Sequence, residues 1–173
     1  MKNFKYPVLI LLALILSSCH KIIKLPDTPY IKFTSFAVFD TTDILGNDCK
    51  GGRLKFYFED GNGDLGLNPA ESGVTDTTNL FLTLYRKISG TMAEVPDNDL
   101  MKPWGYRIPY MERTGQNKIL KGTIAVTFFY EFYTIADSDI FMYRFYIKDR
   151  ADNYSDTVYT SEIPLSVNNV YTK

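Results

Sequence analysis

Seven strand-like stretches recur along this chain, and their period of two restricts its fold more than any other feature. Residues 53–59 set Leu54, Phe56 and Phe58 against Lys55 and Tyr57, and residues 79–88 set Leu80, Leu82 and Leu84 against Phe81, Thr83 and Tyr85. Residues 119–133 put Ile124, Val126, Phe128 and Tyr130 on one face, and residues 140–148 do the same with Phe141, Tyr143, Phe145 and Ile147. Residues 30–38 and 157–163 are two more runs, and 105–110 a shorter one. Successive side chains of a strand point to opposite faces, so each run offers one face to a core and one to solvent or cover. The rings suit this role: 13 Tyr and 12 Phe stand against one Trp, and most fall in the runs, where aromatic side chains pack on a pleated surface. Gly, Asn, Asp and Pro at 61–66, 89–90, 96–99 and 149–152 punctuate the series with residues that tolerate turn geometry. No segment sustains a helical period.

About seven antiparallel strands at this spacing predict an all-β fold, an immunoglobulin-like β-sandwich in architecture, although the Cys, Trp, Cys signature of antibody domains is missing. The sandwich is assigned to residues 30–173. Ahead of it, Lys2 and Lys5 form a basic head, residues 8–16 an apolar core, and Ser17 and Ser18 a pair of small residues before Cys19. That order is a secretory signal peptide over 1–18, and its apolar run falls short of the roughly 20 residues that span a bilayer. Leu16-Ser17-Ser18-Cys19 resembles the lipobox of bacterial lipoproteins, which implies a covalent lipid on Cys19. Residues 19–29 then read as a lipid-anchored tether, held extended by Pro26 and Pro29.

Removing residues 1–18 from 173 leaves 155, enough for one domain with its own core. Lys2 and Lys5 leave with the leader and no acid does, so 17 basic residues face 20 acidic ones. That balance points away from nucleic acid or an anionic membrane surface as partner. No later segment is long and apolar enough to cross a membrane as a helix, so attachment falls to the lipid.

Two further passages resemble the small outer-membrane lipoproteins of Bacteroidota. Asp60-Gly61-Asn62-Gly63-Asp64-Leu65-Gly66-Leu67, following a strand, is similar to their acidic glycine loop, and Ile147-Lys148-Asp149-Arg150-Ala151-Asp152-Asn153-Tyr154-Ser155 to their closing hairpin. With the lipobox, the resemblance implies a bacterial envelope lipoprotein carrying a sandwich domain, and it implies no activity.

Asp60, Asn62, Asp64 and Glu71 stand at positions 1, 3, 5 and 12 of a calcium-loop pattern, which wraps hard oxygen ligands around one Ca²⁺. Leu65 occupies the place of the turn glycine, Gly66 follows one residue late, and Pro69 stiffens the approach to Glu71. A plain glycine-rich turn with solvated carboxylates is the alternative. Ca²⁺, in a structural role, is the candidate cofactor beside the lipid. Asp149, Arg150 and Asp152 read as charge and turn capping within a hairpin, with a second reading in which Asp149 or Asp152 lends an oxygen to the Asp60 loop.

Trp104, Tyr106 and Tyr110 share strand parity. Exposed, they would stack on sugar rings or anchor a protein; the single Trp is expected in the core. Tyr57, Phe81, Tyr85 and Tyr146 take the parity opposite the core residues, which makes Tyr57, Tyr85 and Tyr146 candidate partner-binding positions. Catalysis has little to work with. The one histidine, His20, lies on the tether beside the lipid site, and Cys49 has Lys50 as a neighbour but no base, so it reads as a small buried residue. Zinc-site spacing and phosphate loops do not occur, which leaves a carboxylate-pair hydrolase as the one enzymatic alternative.

The expected function is a non-enzymatic, protein-binding accessory subunit of an outer-membrane complex, with a surface glycan-binding module as the alternative. Surface-displayed lipoproteins of Bacteroidota carry acids just after the acylated cysteine. Here His20, Lys21, Ile22, Ile23 and Lys24 follow and the first acid is Asp27, which favours the periplasmic face over the cell surface.

Overall fold

The computed structural model describes residues 24–68, 78–112, 118–130, 135–136 and 138–173. The expected leader, Cys19, His20 and Glu71 lie outside them. Among the described residues there is no helix, and nine strands form: β1 (Tyr30–Thr42), β2 (Asp48–Asp60), β3 (Leu80–Ile88), β4 (Thr91–Glu94), β5 (Leu120–Tyr130), β6 (Ile140–Ile147), β7 (Val158–Tyr159), β8 (Ile163–Pro164) and β9 (Asn169–Tyr171). They make two antiparallel sheets, ordered β5-β2-β1-β9 and β4-β3-β6-β7 with β8 also on β6. The sheets pack face to face as a β-sandwich.

The first sheet is built on a long hairpin. β1 pairs β2 from Tyr30↔Glu59 to Thr42↔Asp48, with one bulge between Phe33 and Ser35. Its turn is closed by Asp43, whose Oδ1 accepts the Leu45 and Asn47 amides at 2.8 Å each, an Asx device that replaces ladder bonds. In the second sheet, Ser89 (φ 50°) and Gly90 (φ 83°) join β3 to β4. Two consecutive positive φ values twist a two-residue hairpin in the sense of its strands.

Six of the seven stretches contain strands, 157–163 only at its two ends as β7 and the start of β8, and the four with an assigned inward face keep it; residues 131–133 lie outside the described residues. Residues 105–110 make only isolated bridges, Tyr106 to Leu80 and Pro109 to Leu67. β4, β9 and the first half of β2 carried no alternation to find. Rings fill the space between the sheets. Phe36 and Phe128 of the first sheet stack on Tyr143 of the second at centroid distances of 5.5 and 5.4 Å, and Phe56 meets Phe145 at 5.2 Å. Each ring of this size contributes about 1.5–3 kcal/mol by burial. The Tyr130 and Tyr143 hydroxyls pair at 2.9 Å within this core, which satisfies two polar groups that burial would otherwise penalise.

The end of the expected tether does not hang free of the domain. The Gly61 amide donates to Pro26 O at 3.0 Å and Pro29 is buried. A Cβ on Gly61 would stand 2.4 Å from the carbonyl oxygens of both Leu25 and Pro26, so the close approach requires glycine.

Candidate functional site

Strand parity builds an acidic cluster at one end of the sandwich. The inward register of β2 runs Leu54, Phe56, Phe58 and ends on Asp60; that of β6 runs Phe141, Tyr143, Phe145, Ile147 and reaches Asp149 one step past the strand. Each sheet therefore delivers a carboxylate into the space between them. Asp60 is 0% exposed and Asp149 1%. The loop after β2 turns back through Gly63 (φ 66°) and Gly66 (φ 92°) and brings in half-buried Asp64. One oxygen from each of Asp60, Asp64 and Asp149 lies within 4.8 Å of the others.

Hydrogen bonds hold this geometry. Asp60 Oδ2 accepts the Leu65 amide at 2.7 Å. Asp149 closes its own hairpin, its Oδ1 accepting the Asn153 amide and its Oδ2 the Asn153 side-chain Nδ2, both at 2.8 Å. Arg150 ties hairpin to loop: its amide donates to Asp64 O at 3.3 Å and Nη1 to Gly66 O at 2.6 Å, while its guanidinium lies 5.0 Å from the Tyr110 ring centroid. The opposite side of the loop is fixed by close approach. A Cβ on Gly66 would meet Pro109 O at 2.3 Å.

Burial raises the pKa of Asp60; its backbone amide donors oppose the shift and the Asp149 charge adds to it. Asp64 is raised first by burial and then by the charges of Asp149 and Asp60. Such a site favours binding a positive charge, a proton or a metal ion, over three bare carboxylates.

The structure thus brings together Asp60 and Asp64 of the expected ligand set and adds Asp149. Asn62 instead accepts the Asp64 amide through Oδ1 at 3.3 Å. Asp149 caps its hairpin and also brings an oxygen within 4.8 Å of Asp60 and Asp64, whereas Asp152 (φ 63°) pairs with Lys148 at 3.1 Å. Asn79 was not singled out. Wholly buried, it accepts the Ile108 amide at 2.6 Å and donates to Ile108 O at 3.3 Å, stitching residues 106–108 beside the acidic loop. A polar residue at the mouth of an apolar run was the available signal.

The tyrosines divide between two surfaces. Tyr57 lies on the outer face of the first sheet and bonds Glu59 at 2.7 Å. Tyr85 and Tyr146 lie on the outer face of the second, within an aromatic strip. Phe81 stacks on Tyr146 at 4.9 Å, Tyr154 lies 6.0 Å from Tyr146, and Tyr159 lies 6.5 Å from Tyr85. Arg144 sits between, its guanidinium 5.7 Å from the Tyr85 ring. Phe81 and Tyr146 stack while the other two pairs are tilted, and Tyr154 and Tyr159 are exposed.

Trp104, Tyr106 and Tyr110 do not share a side. Trp104 is 86% exposed, contrary to its expected burial. Tyr106 turns inward, edge-on to Phe128 at 5.4 Å, and Tyr110 is 42% exposed. Parity holds only where a strand holds it, and here backbone pairing begins at Tyr106, whose amide and carbonyl both bond Leu80. A cleft of about 450 Å³ runs beside Tyr106, lined also by Ile108, Met111, Ile124 and Val126; Trp104 stands outside it. Half-buried Cys49 faces Thr41 across the hairpin.

The fold defines a two-sheet all-β domain with an acidic cluster at one end and an aromatic outer face. Comparison with family models, curated proteins and solved structures gives no match in any of the three.

Proposed function

We propose that this is a lipid-anchored protein of the bacterial outer membrane whose sandwich docks another envelope protein, as an accessory subunit without catalysis of its own. The observation that supports docking is the strip of Phe81, Tyr146, Tyr154, Tyr85 and Tyr159 around Arg144 on the outer face of the second sheet. Tyr and Arg are the residues that dominate protein interfaces, and their contacts with one another order them before a partner arrives, which lowers the entropy lost on binding. The lipobox resemblance at Cys19 supports the anchor.

Mild crosslinking of native membranes tests this reading. Tyr85→Ser with Tyr146→Ser is expected to remove a crosslinked partner that wild type and Tyr57→Ser both retain, since Tyr57 lies on the other sheet. Retention of the partner by the double variant refutes it. A second reading, glycan binding, draws on the exposure of Trp104. Binding of a polysaccharide that Trp104→Ala abolishes, with no crosslinked partner in wild type, would put that reading in its place.

A further inference from the structure

The acidic cluster contains two buried oxygens that hydrogen bonding leaves unanswered. Asp60 Oδ1 and Asp64 Oδ1 are both shielded from solvent without a hydrogen-bond partner among the described residues, and Asp60 as a whole is 0% exposed. A buried carboxylate oxygen without a donor is strongly penalised unless a cation or proton meets it. Both oxygens belong to carboxylates that point into the space shared with Asp149. Three carboxylates within 4.8 Å match the spacing around a hard cation: with Ca²⁺–oxygen distances of about 2.3–2.6 Å, two ligands of one ion stand at most about 5 Å apart. The donors are all oxygens, which disfavours zinc.

We propose that Asp60, Asp64 and Asp149 bind one Ca²⁺, and that the ion clamps the two sheets together at this end of the sandwich. Asp60 and Asp64 come from the β2 end and its loop, Asp149 from the hairpin after β6, so the ion ties elements that the sheet ladders do not join. This differs from the sequence pattern, which drew all four ligands from residues 60–71. The clamp also steadies the seat of the N-terminal segment, because Gly61, next to Asp60, carries the bond to Pro26. It stands independently of the docking proposal.

The test uses the full-length, membrane-extracted protein, stripped with chelator and then followed by thermal melting and titration calorimetry with CaCl₂ or MgCl₂. Wild type is expected to bind Ca²⁺ at one site and to melt roughly 5–10 °C higher at 100 times its dissociation constant. Asp64→Asn keeps the backbone contacts of the loop and is expected to weaken binding about tenfold or more, since ligand charge tunes affinity. Under chelator the same variant should melt above wild type, because it removes one of three crowded like charges. Asp149→Asn should also lose the calcium response; if it fails to fold, Asp64→Asn alone decides. An unchanged wild-type melt with no heat of Ca²⁺ binding overturns the proposal in favour of a proton held among the carboxylates. An equal response to Mg²⁺ overturns the assignment of calcium.

Discussion

Asn79→Ala should destabilise the domain by roughly 2–4 kcal/mol, and the two hydrogen bonds it removes are not equivalent. The Ile108 amide has Asn79 Oδ1 as its partner at 2.6 Å, in a residue only 4% exposed. Truncation leaves that N–H buried and unpaired, which costs about 1–3 kcal/mol. The Ile108 carbonyl keeps a second donor, the Leu67 amide at 3.0 Å, so losing Asn79 Nδ2 there removes only an ordinary net contribution of about 0.5–1.5 kcal/mol. For a domain of this size the sum corresponds to a fall in melting temperature of roughly 4–16 °C. Asn79→Asp keeps an oxygen for the Ile108 amide but buries a charge whose other oxygen faces the Ile108 carbonyl, so at neutral pH the loss should be at least as large as for alanine. Urea unfolding followed by far-ultraviolet circular dichroism measures the stability, and amide exchange at Ile108 reports the orphaned group directly. Alanine and wild type agreeing within about 0.5 kcal/mol, with Ile108 exchange unchanged, would refute the reasoning.

Cys19→Ser should abolish fatty-acid labelling and release the protein from membranes, read by metabolic labelling and fractionation; a variant still attached with no partner present would contradict acylation there. The Tyr130–Tyr143 pair predicts an alkaline limit. Burial lifts both phenols above the usual tyrosine value, so their contribution to stability is complete below the unfolded pKa of about 10 and is lost as pH rises beyond it. Absorbance at 295 nm should show these two phenols ionising only with cooperative unfolding, and Tyr143→Phe should make the alkaline fall in stability shallower.

Most of the sandwich was legible because a half-buried strand writes its two faces into the sequence. Leu54, Phe56 and Phe58 could hardly point elsewhere than inward once β2 formed, and the same holds for Phe141 through Ile147. The same rule carried one step past the apolar residues reaches Asp60 and Asp149, so two of the three members of the acidic cluster were present in the register. What the register cannot say is that the two strand ends lie opposite each other, since that depends on how the sheets pack. Trp104 misled for a related reason: outside a ladder, residues two apart need not share a side, and the single Trp of a ring-rich chain is not obliged to be core. β4 and β9 are defined by their partners, Tyr85↔Glu94 through Ile88↔Thr91 and Phe36↔Tyr171 through Val38↔Asn169, and short edge strands need little hydrophobic pattern of their own.

The bond from Gly61 to Pro26 sets the length of a leash. With a lipid on Cys19, only the seven steps from Cys19 to Pro26 separate the acyl chains from the point where the chain is pinned to the domain, a reach of at most about 25 Å. A headgroup layer takes up several ångströms of that. So anchored, the domain would be moored by the end that carries Asp60 and the 61–66 loop, and would stay within that reach of the leaflet. The sheet faces flank this moored end instead of capping it. A protein embedded in the same leaflet would meet the Tyr85–Tyr146 face side-on, its search confined to a thin layer in which even a modest affinity fills the site.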